Sequence, residues 1–300
     1  MITPPYLKPG DKIGIVSPAR KIPREEVSTA IKMFNEWGLE VVEGDHLYDS
    51  YHQYAGNDEA RAKDFQEMLN DKSIRAIVCS RGGYGTVRII DRIDFSHFIE
   101  DPKWIIGYSD ITVFHSHINR HFNTETLHAI MPVNIKSPYN DDPSVDSLKK
   151  ALFGKKLEYT VPTDSGSRRG KAEGVLTGGN LSMLYSLIGS PSDIDTEGKI
   201  LFIEELDEYL YHIDRMMMNL KRSGKLANLE ALIVGGMTGM RDNKVPYGKT
   251  ANEIVMETVA GYDYPVVMNF PAGHTDDNRA LIMGRKIHLE VLDQTKLTFE

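Results

Sequence analysis

Short apolar runs rich in β-branched residues alternate with amphipathic stretches through the first third of the chain. Lys12-Ile13-Gly14-Ile15-Val16 reads as a strand closed by Ser17-Pro18, and Pro23 opens an amphipathic helix through about Trp37 with Val27, Ile31 and Phe34 at helical spacing. Gly38 ends that helix and Leu39–Val42 forms the next strand. Asn57 or Asp58 caps a helix to about Leu69, with Ala62, Phe65 and Leu69 on one face. Ile74–Val78 and Trp104–Ile106 are the third and fourth strands. Strands that alternate with helices at this spacing predict a parallel sheet with helices on both faces. Ligands of such sheets sit beyond the carboxyl ends of the strands, which directs attention to the residues after Val16, Val78 and Ile106.

A length of 300 residues suggests two domains. Between Ser137 and Gly170 the chain turns rich in Pro, Asp, Ser and Gly, which predicts a linker within 140–170 interrupted by a short helix near Val145–Leu152. Beyond it the patterns are mixed. Strands are expected at Gly174–Leu176, Ile200–Ile203, Leu232–Val234 and Pro265–Met268, and helices over Asn180–Ile188 and Tyr211–Ser223. Short antiparallel strands are expected from Ala280 to Phe299. The expected class is α/β, with a parallel-sheet domain over 1–150 and a β-rich mixed domain over 165–300.

Lys plus Arg number 35 against 43 Asp plus Glu, a formal charge of −8. That balance argues against a nucleic-acid or anionic-membrane partner, either of which needs a basic face. The single cysteine, Cys79, excludes an internal disulfide and a Cys-rich zinc site. No apolar run approaches the roughly 18–20 residues of a membrane span. The start, Met1-Ile2-Thr3-Pro4-Pro5-Tyr6, lacks a basic-then-apolar leader, so the expected compartment is the cytoplasm.

The most informative segment is Trp104-Ile105-Ile106-Gly107-Tyr108-Ser109-Asp110, an apolar strand that runs through Gly-x-Ser into a helix bearing Ile111, Phe114, Ile118 and Phe122. A serine at a sharp strand-to-helix turn has its Oγ pushed toward a ligand, and the helix start favours a developing oxyanion. A plain N-cap serine fits the same residues. The cluster Ser80-Arg81-Gly82-Gly83-Tyr84-Gly85 follows a buried strand; glycines there bring backbone amides close to a ligand or merely make a tight turn. A nucleophilic serine needs a base and a third group that orients it. Glu204-Glu205 ends an apolar strand and His274 sits in a Pro/Gly loop, giving the order Ser, acid, His used by some serine hydrolases. A solvated strand end and a loop histidine are the alternatives. His115, His117 and His121 lack an H-E-x-x-H pattern and are expected on the polar face of their helix rather than on a metal. Cys79 is expected as a small buried residue, and Asp214-Arg215 as a structural ion pair.

Taken together these motifs resemble the LD-carboxypeptidases, or muramoyltetrapeptide carboxypeptidases, a serine-peptidase family that includes the microcin C self-immunity proteins. The resemblance runs from about residue 7 to about 290. It is carried by Leu7–Asp11, Ala55–Arg61, Ser80–Gly85, Ile106–Asp110, Glu173–Leu181, Ile203–Glu205 with Tyr211–Arg215, and Gly273-His274. It implies a flavodoxin-like N-terminal domain and a β-rich C-terminal domain, with the site between them. It also implies a nucleophile at Ser109, a base at His274 and an orienting acid at Glu204. The oxyanion hole would be the backbone at Gly82, Gly83 and Asp110. Arg81 and Tyr84 are the candidates for binding substrate. The implied protein is a homodimer that uses no metal and no cofactor and removes the terminal D-alanine of a murein tetrapeptide. Two alternatives are a hydrolase of peptidyl-nucleotides such as microcin C and a non-catalytic muropeptide-binding protein. This chain departs from the family pattern with Glu204-Glu205 in place of Glu-Asp, and with Ala129-Ile130-Met131 in place of Gly-Pro-Met.

Overall fold

A computed structural model describes residues 1–300. The first half forms β1 (Lys12–Val16), α1 (Arg24–Glu36), β2 (Glu40–Glu43), α2 (Asp58–Asn70), β3 (Ile74–Cys79), β4 (Trp104–Gly107), α3 (Thr112–Phe122) and β5 (Thr126–His128). It is followed by α4 (Pro143–Leu152), β6 (Glu158–Pro162), β7 (Gly170–Asn180), α5 (Leu181–Leu187), β8 (Lys199–Leu206), α6 (Leu210–Arg222) and β9 (Ala231–Thr238). Then come α7 (Ala251–Thr258), β10 (Val266–Val267), β11 (Leu281–Met283), β12 (Lys286–Val291) and β13 (Gln294–Phe299). No helix is long and apolar enough to cross a membrane.

The first sheet has the order β2-β1-β3-β4-β5, all parallel, which is the flavodoxin-like arrangement; β11 adds antiparallel to β5 at its edge. Apart from Lys12 and Arg75 near their starts, its central strands β1, β3 and β4 are apolar because both faces are covered. Ala76 and Val78 enter one core, while Ile77 and Cys79 enter the other. The second sheet has the order β10-β9-β8-β7-β12-β13-β6. Strands β7 to β10 are parallel, and β12, β13 and β6 are antiparallel. In β8, Ile200 and Phe202 face the core shared with the first sheet, and Leu201 and Ile203 pack beneath the helices of the second half. The α/β class and the parallel core of the first sheet are as the residue patterns predict.

Two departures matter for the site. The segment 140–170 is more than a linker: besides the expected helix, present as α4 with Val145, Leu148 and Leu152 buried, it holds β6, which closes the edge of the second sheet. Residues 281–283, which the sequence puts in the second domain, instead complete the first sheet. The three residues of β5 are too few for their periodicity to register, and α7 was not expected. Its start is fixed by a capping box, in which Thr250 Oγ1 accepts from Glu253 N–H and the Glu253 carboxylate accepts from Thr250 N–H.

Candidate active site

The turn after β4 is tight. Gly107 has φ +153, and a Cβ there would lie 2.9 Å from Ile111 Cγ1. Its carbonyl accepts from His115 Nε2–H (2.8 Å) and Ala129 N–H (3.3 Å). Tyr108 is extended, and Ser109 then takes φ +66, a left-handed conformation that an L side chain rarely adopts. Such a strained turn aims the hydroxyl outward at the end of the strand.

The glycine cluster after β3 folds against that serine. A Cβ on Gly82 would lie 2.9 Å from Ser109 Cβ, 3.1 Å from Ser109 Oγ and 3.3 Å from Asp110 N. The Gly82 and Gly83 amides have no acceptor within the chain. Buried groups hold this loop. Arg61 of α2 donates to Pro18 O (2.5 Å) and Gly85 O (3.0 Å) and pairs with Asp58. Asp110 Oδ2 accepts from Thr86 N–H (2.8 Å). Burial pushes the Asp110 carboxyl above the usual range, against the opposing hydrogen bonds of Thr86 and the charge of Arg61.

The candidate acid Glu204 comes from β8 of the second sheet, and the candidate base His274 from the loop between β10 and β11. Glu204 near the end of β8 is wholly buried, and His274 Nδ1–H donates to its Oε2 at 2.6 Å. His274 N–H reaches the same oxygen at 3.2 Å, and Glu204 Oε1 has no partner. The approach requires glycine at 273, with φ +96, where a Cβ would lie 2.6 Å from Glu204 Cβ. Burial disfavours the imidazolium, but the charge of Glu204, its hydrogen bond and the charge of Glu205 outweigh it and hold the His274 pKa above 6.5. Glu205 is occupied elsewhere: its carboxylate accepts from Asn180 Nδ2–H (3.0 Å), Ser182 N–H (2.7 Å) and Leu206 N–H (2.9 Å). Burial first, and then the charge of Glu204, raises its carboxyl pKa.

The two halves meet where Asn180 N–H donates to Thr112 Oγ1 at 2.9 Å. Between them lies a cavity of about 440 Å³, lined by Ser109, His274, Gly82 and Gly83 among others. Ser109 and His274 face this space without a direct hydrogen bond; in unliganded enzymes such contacts are often long and tighten around the reacting group. Tyr108 flanks the imidazole, with ring centroids 4.8 Å apart. A larger cavity, about 570 Å³, opens beside the start of α7 but contains neither Ser109 nor His274, so the chemistry assigns the site to the smaller one.

Several expected residues sit differently. Arg81 lines the cavity, but its guanidinium donates to Lys21 O at 3.2 Å and lies 3.7 Å from the Glu26 carboxylate. Tyr84 is outside the lining, exposed, with its ring 6.2 Å from that of Tyr54, because the glycines on either side turn it away. His115 is buried under Gly107 rather than on a polar face. His117 and His121 bond Ser192 Oγ and Pro191 O. Cys79 is fully buried and burial pushes its thiol up. Asp214 and Arg215 form no ion pair; the Arg215 guanidinium lies 5.2 Å over the Tyr211 ring. Sequence reasoning missed Arg20, which lines the cavity, and Arg61 and Asn180, which brace it; Arg61 stood in the resemblance only as part of a motif.

Residues 13–129 match the model of the LD-carboxypeptidase N-terminal domain, and residues 173–289 match that of the C-terminal domain. The chain belongs to the LD-carboxypeptidase family. It is 34% identical over 296 residues to the probable murein peptide carboxypeptidase of Bacillus subtilis (strain 168), covering 97% of this chain and 92% of the relative. The crystal structure of muramoyltetrapeptide carboxypeptidase from Oxalobacter formigenes superposes with a TM-score of 0.87 at 26% identity, covering 96% of this LD-carboxypeptidase family member and 98% of the other chain. The microcin C7 self immunity protein MccF also superposes with a TM-score of 0.87, covering 98% of this chain and 97% of the other. At 22% identity, that likeness concerns the fold alone.

Proposed function

We propose that the protein is a serine-type murein tetrapeptide carboxypeptidase that releases the terminal D-alanine. The observation that carries this reading is the Glu204–His274 pair facing, across one cavity, a serine strained at φ +66 against Gly82. Because His274 Nδ1–H is engaged by Glu204, Nε2 is the ring atom left to accept a proton. Ser109 Oγ attacks the carbonyl carbon of the scissile amide as its proton passes to Nε2. The tetrahedral oxyanion is met by the Gly82, Gly83 and Asp110 amides. Collapse breaks the C–N bond, and His274 returns the proton to the departing amine of D-alanine. Water, deprotonated by His274, then clears the acyl-enzyme. Acid–base help of this kind is worth roughly 10²–10⁴ in rate, and one oxyanion donor roughly 10²–10³.

Residues 1–150 would thus supply the nucleophile, and residues 165–300 the acid and base. The same reading makes the protein a cytoplasmic homodimer acting on free peptides, with no metal, cofactor, nucleic acid or membrane partner; of these, the net charge of −8 supports the absence of a nucleic-acid or anionic-membrane partner. The test is mass spectrometry of murein tetrapeptide incubated with wild type and with Ser109→Ala. Wild type should yield tripeptide plus D-alanine and the variant neither. Turnover by Ser109→Ala at the wild-type rate would refute the assignment.

A further inference from the structure

We infer that Arg20, not Arg81, is the anchor for the substrate's terminal carboxylate, the residue that makes the enzyme select a free chain end. The inference rests on the carboxypeptidase reading above. Two arginines line the cavity that holds Ser109 and His274. Arg81 is already committed to Lys21 O and Glu26. Arg20 is exposed and makes no ion pair and no side-chain hydrogen bond, so its guanidinium keeps all its donors for a ligand. The acids of the same cavity are each held: Asp110 by Thr86 N–H, Glu205 by Asn180 and Ser182, and Asp207 by Arg241. The one uncommitted fixed charge facing the space is therefore positive, and a planar fork suits a carboxylate.

Its position suits a leaving group. Arg20 is fixed at its backbone by a bridge to Tyr54, and its aliphatic stem lies along Gly83. A Cβ on Gly83 would be 3.0 Å from Arg20 Cβ and 3.1 Å from Cδ. The adjacent Gly82 abuts Ser109 Oγ. The stem of Arg20 thus lies against the residue that follows the glycine touching the nucleophile, and its guanidinium belongs to the lining of the same cavity. In a C-terminal residue the carboxylate carbon is only three bonds from the scissile carbonyl carbon. A guanidinium carried into the cavity on a stem that passes one residue from the attack point suits the carboxylate of the departing residue, and a longer peptide would have a neutral amide there.

The test compares a tetrapeptide ending in free D-alanine with its C-terminal amide, for wild type, Arg20→Met, Arg20→Lys and Arg81→Met. Labelling of Ser109 by a fluorophosphonate probe is followed in parallel. Wild type should prefer the acid. Arg20→Met should lose about 10- to 100-fold in kcat/KM on the acid, mainly through KM, and change little on the amide, so that the preference collapses. Arg20→Lys should be intermediate and Arg81→Met should keep the preference. Wild-type acid-over-amide selectivity in a labelled Arg20→Met overturns the inference, as does its loss in Arg81→Met alone. Should Arg20→Met fail to fold, undiminished selectivity in Arg20→Lys with a wild-type KM overturns it equally. If wild type cleaves neither peptide, the carboxypeptidase reading itself falls.

Discussion

His274 Nδ1 lies 2.6 Å from Glu204 Oε2 although 70 residues separate them, and the residue before the imidazole must be glycine for the two to meet. The carboxylate is wholly buried, and the side chain of the histidine is 14% exposed at the cavity wall. A charge buried on one side and a cavity on the other make this ring responsive to pH.

The His274 pKa is held above 6.5 by Glu204 and Glu205 against the effect of burial, and a general base must be neutral. Activity should therefore fall as pH drops, with an acid limb in kcat/KM centred above 6.5. The stability the pair contributes runs the opposite way: it is full below 6.5 and is lost as pH rises through the folded value. Glu204→Gln should move the limb to lower pH and cut kcat by roughly 10³–10⁴. A wild-type limb at or below 6.5 would contradict the electrostatic account.

Backbone strain at Ser109 separates stability from activity. Left-handed geometry costs an L residue roughly 1–2 kcal/mol. Ser109→Gly should abolish turnover yet raise stability by about 0.5–1 kcal/mol, after allowing for the greater freedom of unfolded glycine. Ser109→Ala should be equally inactive and gain nothing. Thermal melts of the two variants side by side decide this; a lower melting temperature for the glycine variant argues against stored strain.

Gly82→Ala addresses the oxyanion side. Its methyl would enter 2.9 Å from Ser109 Cβ and 3.3 Å from Asp110 N, so the loop or the serine must shift. A displaced donor should cost roughly 10²–10³ in kcat while the far-ultraviolet dichroism stays that of wild type. Unchanged kcat would show that this loop is not the donor wall.

The loop that bears His274 is held from outside the cavity. Asn278 is buried, its Oδ1 accepts from Gly273 N–H at 2.8 Å, and its own N–H donates to Ser144 Oγ on α4 at 2.9 Å. Ala280 N–H donates to Ser147 Oγ, also at 2.9 Å. Asn278→Ala leaves a buried N–H unpaired and should destabilise by about 1–3 kcal/mol. It should also lower kcat more than it changes KM. Counting competent sites with a fluorophosphonate probe separates the two causes: fewer labelled sites at an unchanged kcat per site would point to general unfolding instead.

Strands β1, β3 and β4 were legible because each is buried on both faces and bounded by turn residues, and Ser109, Glu204 and His274 drew attention because each lies near or beyond the end of an apolar strand. What the sequence could not show depends on contacts between distant segments. Arg20 has no local pattern, and its freedom is visible only once Arg81 is seen paired with Glu26. Nothing in the sequence singles out Ser144 and Ser147, yet their hydroxyls face inward to bond the histidine loop. That Tyr84 lies outside the cavity lining was not legible, because neighbouring glycines do not say which way a side chain turns.

The return of residues 281–283 to the edge of the first sheet bears on synthesis. A ribosome must deliver this late segment before the layer carrying the hydroxyl gains its last strand, and the imidazole at 274 emerges only shortly beforehand. A nascent chain therefore exposes an open edge at Thr126–His128 until residues 281–283 have been made, and the proposed Ser109–His274 centre cannot assemble before His274 has emerged.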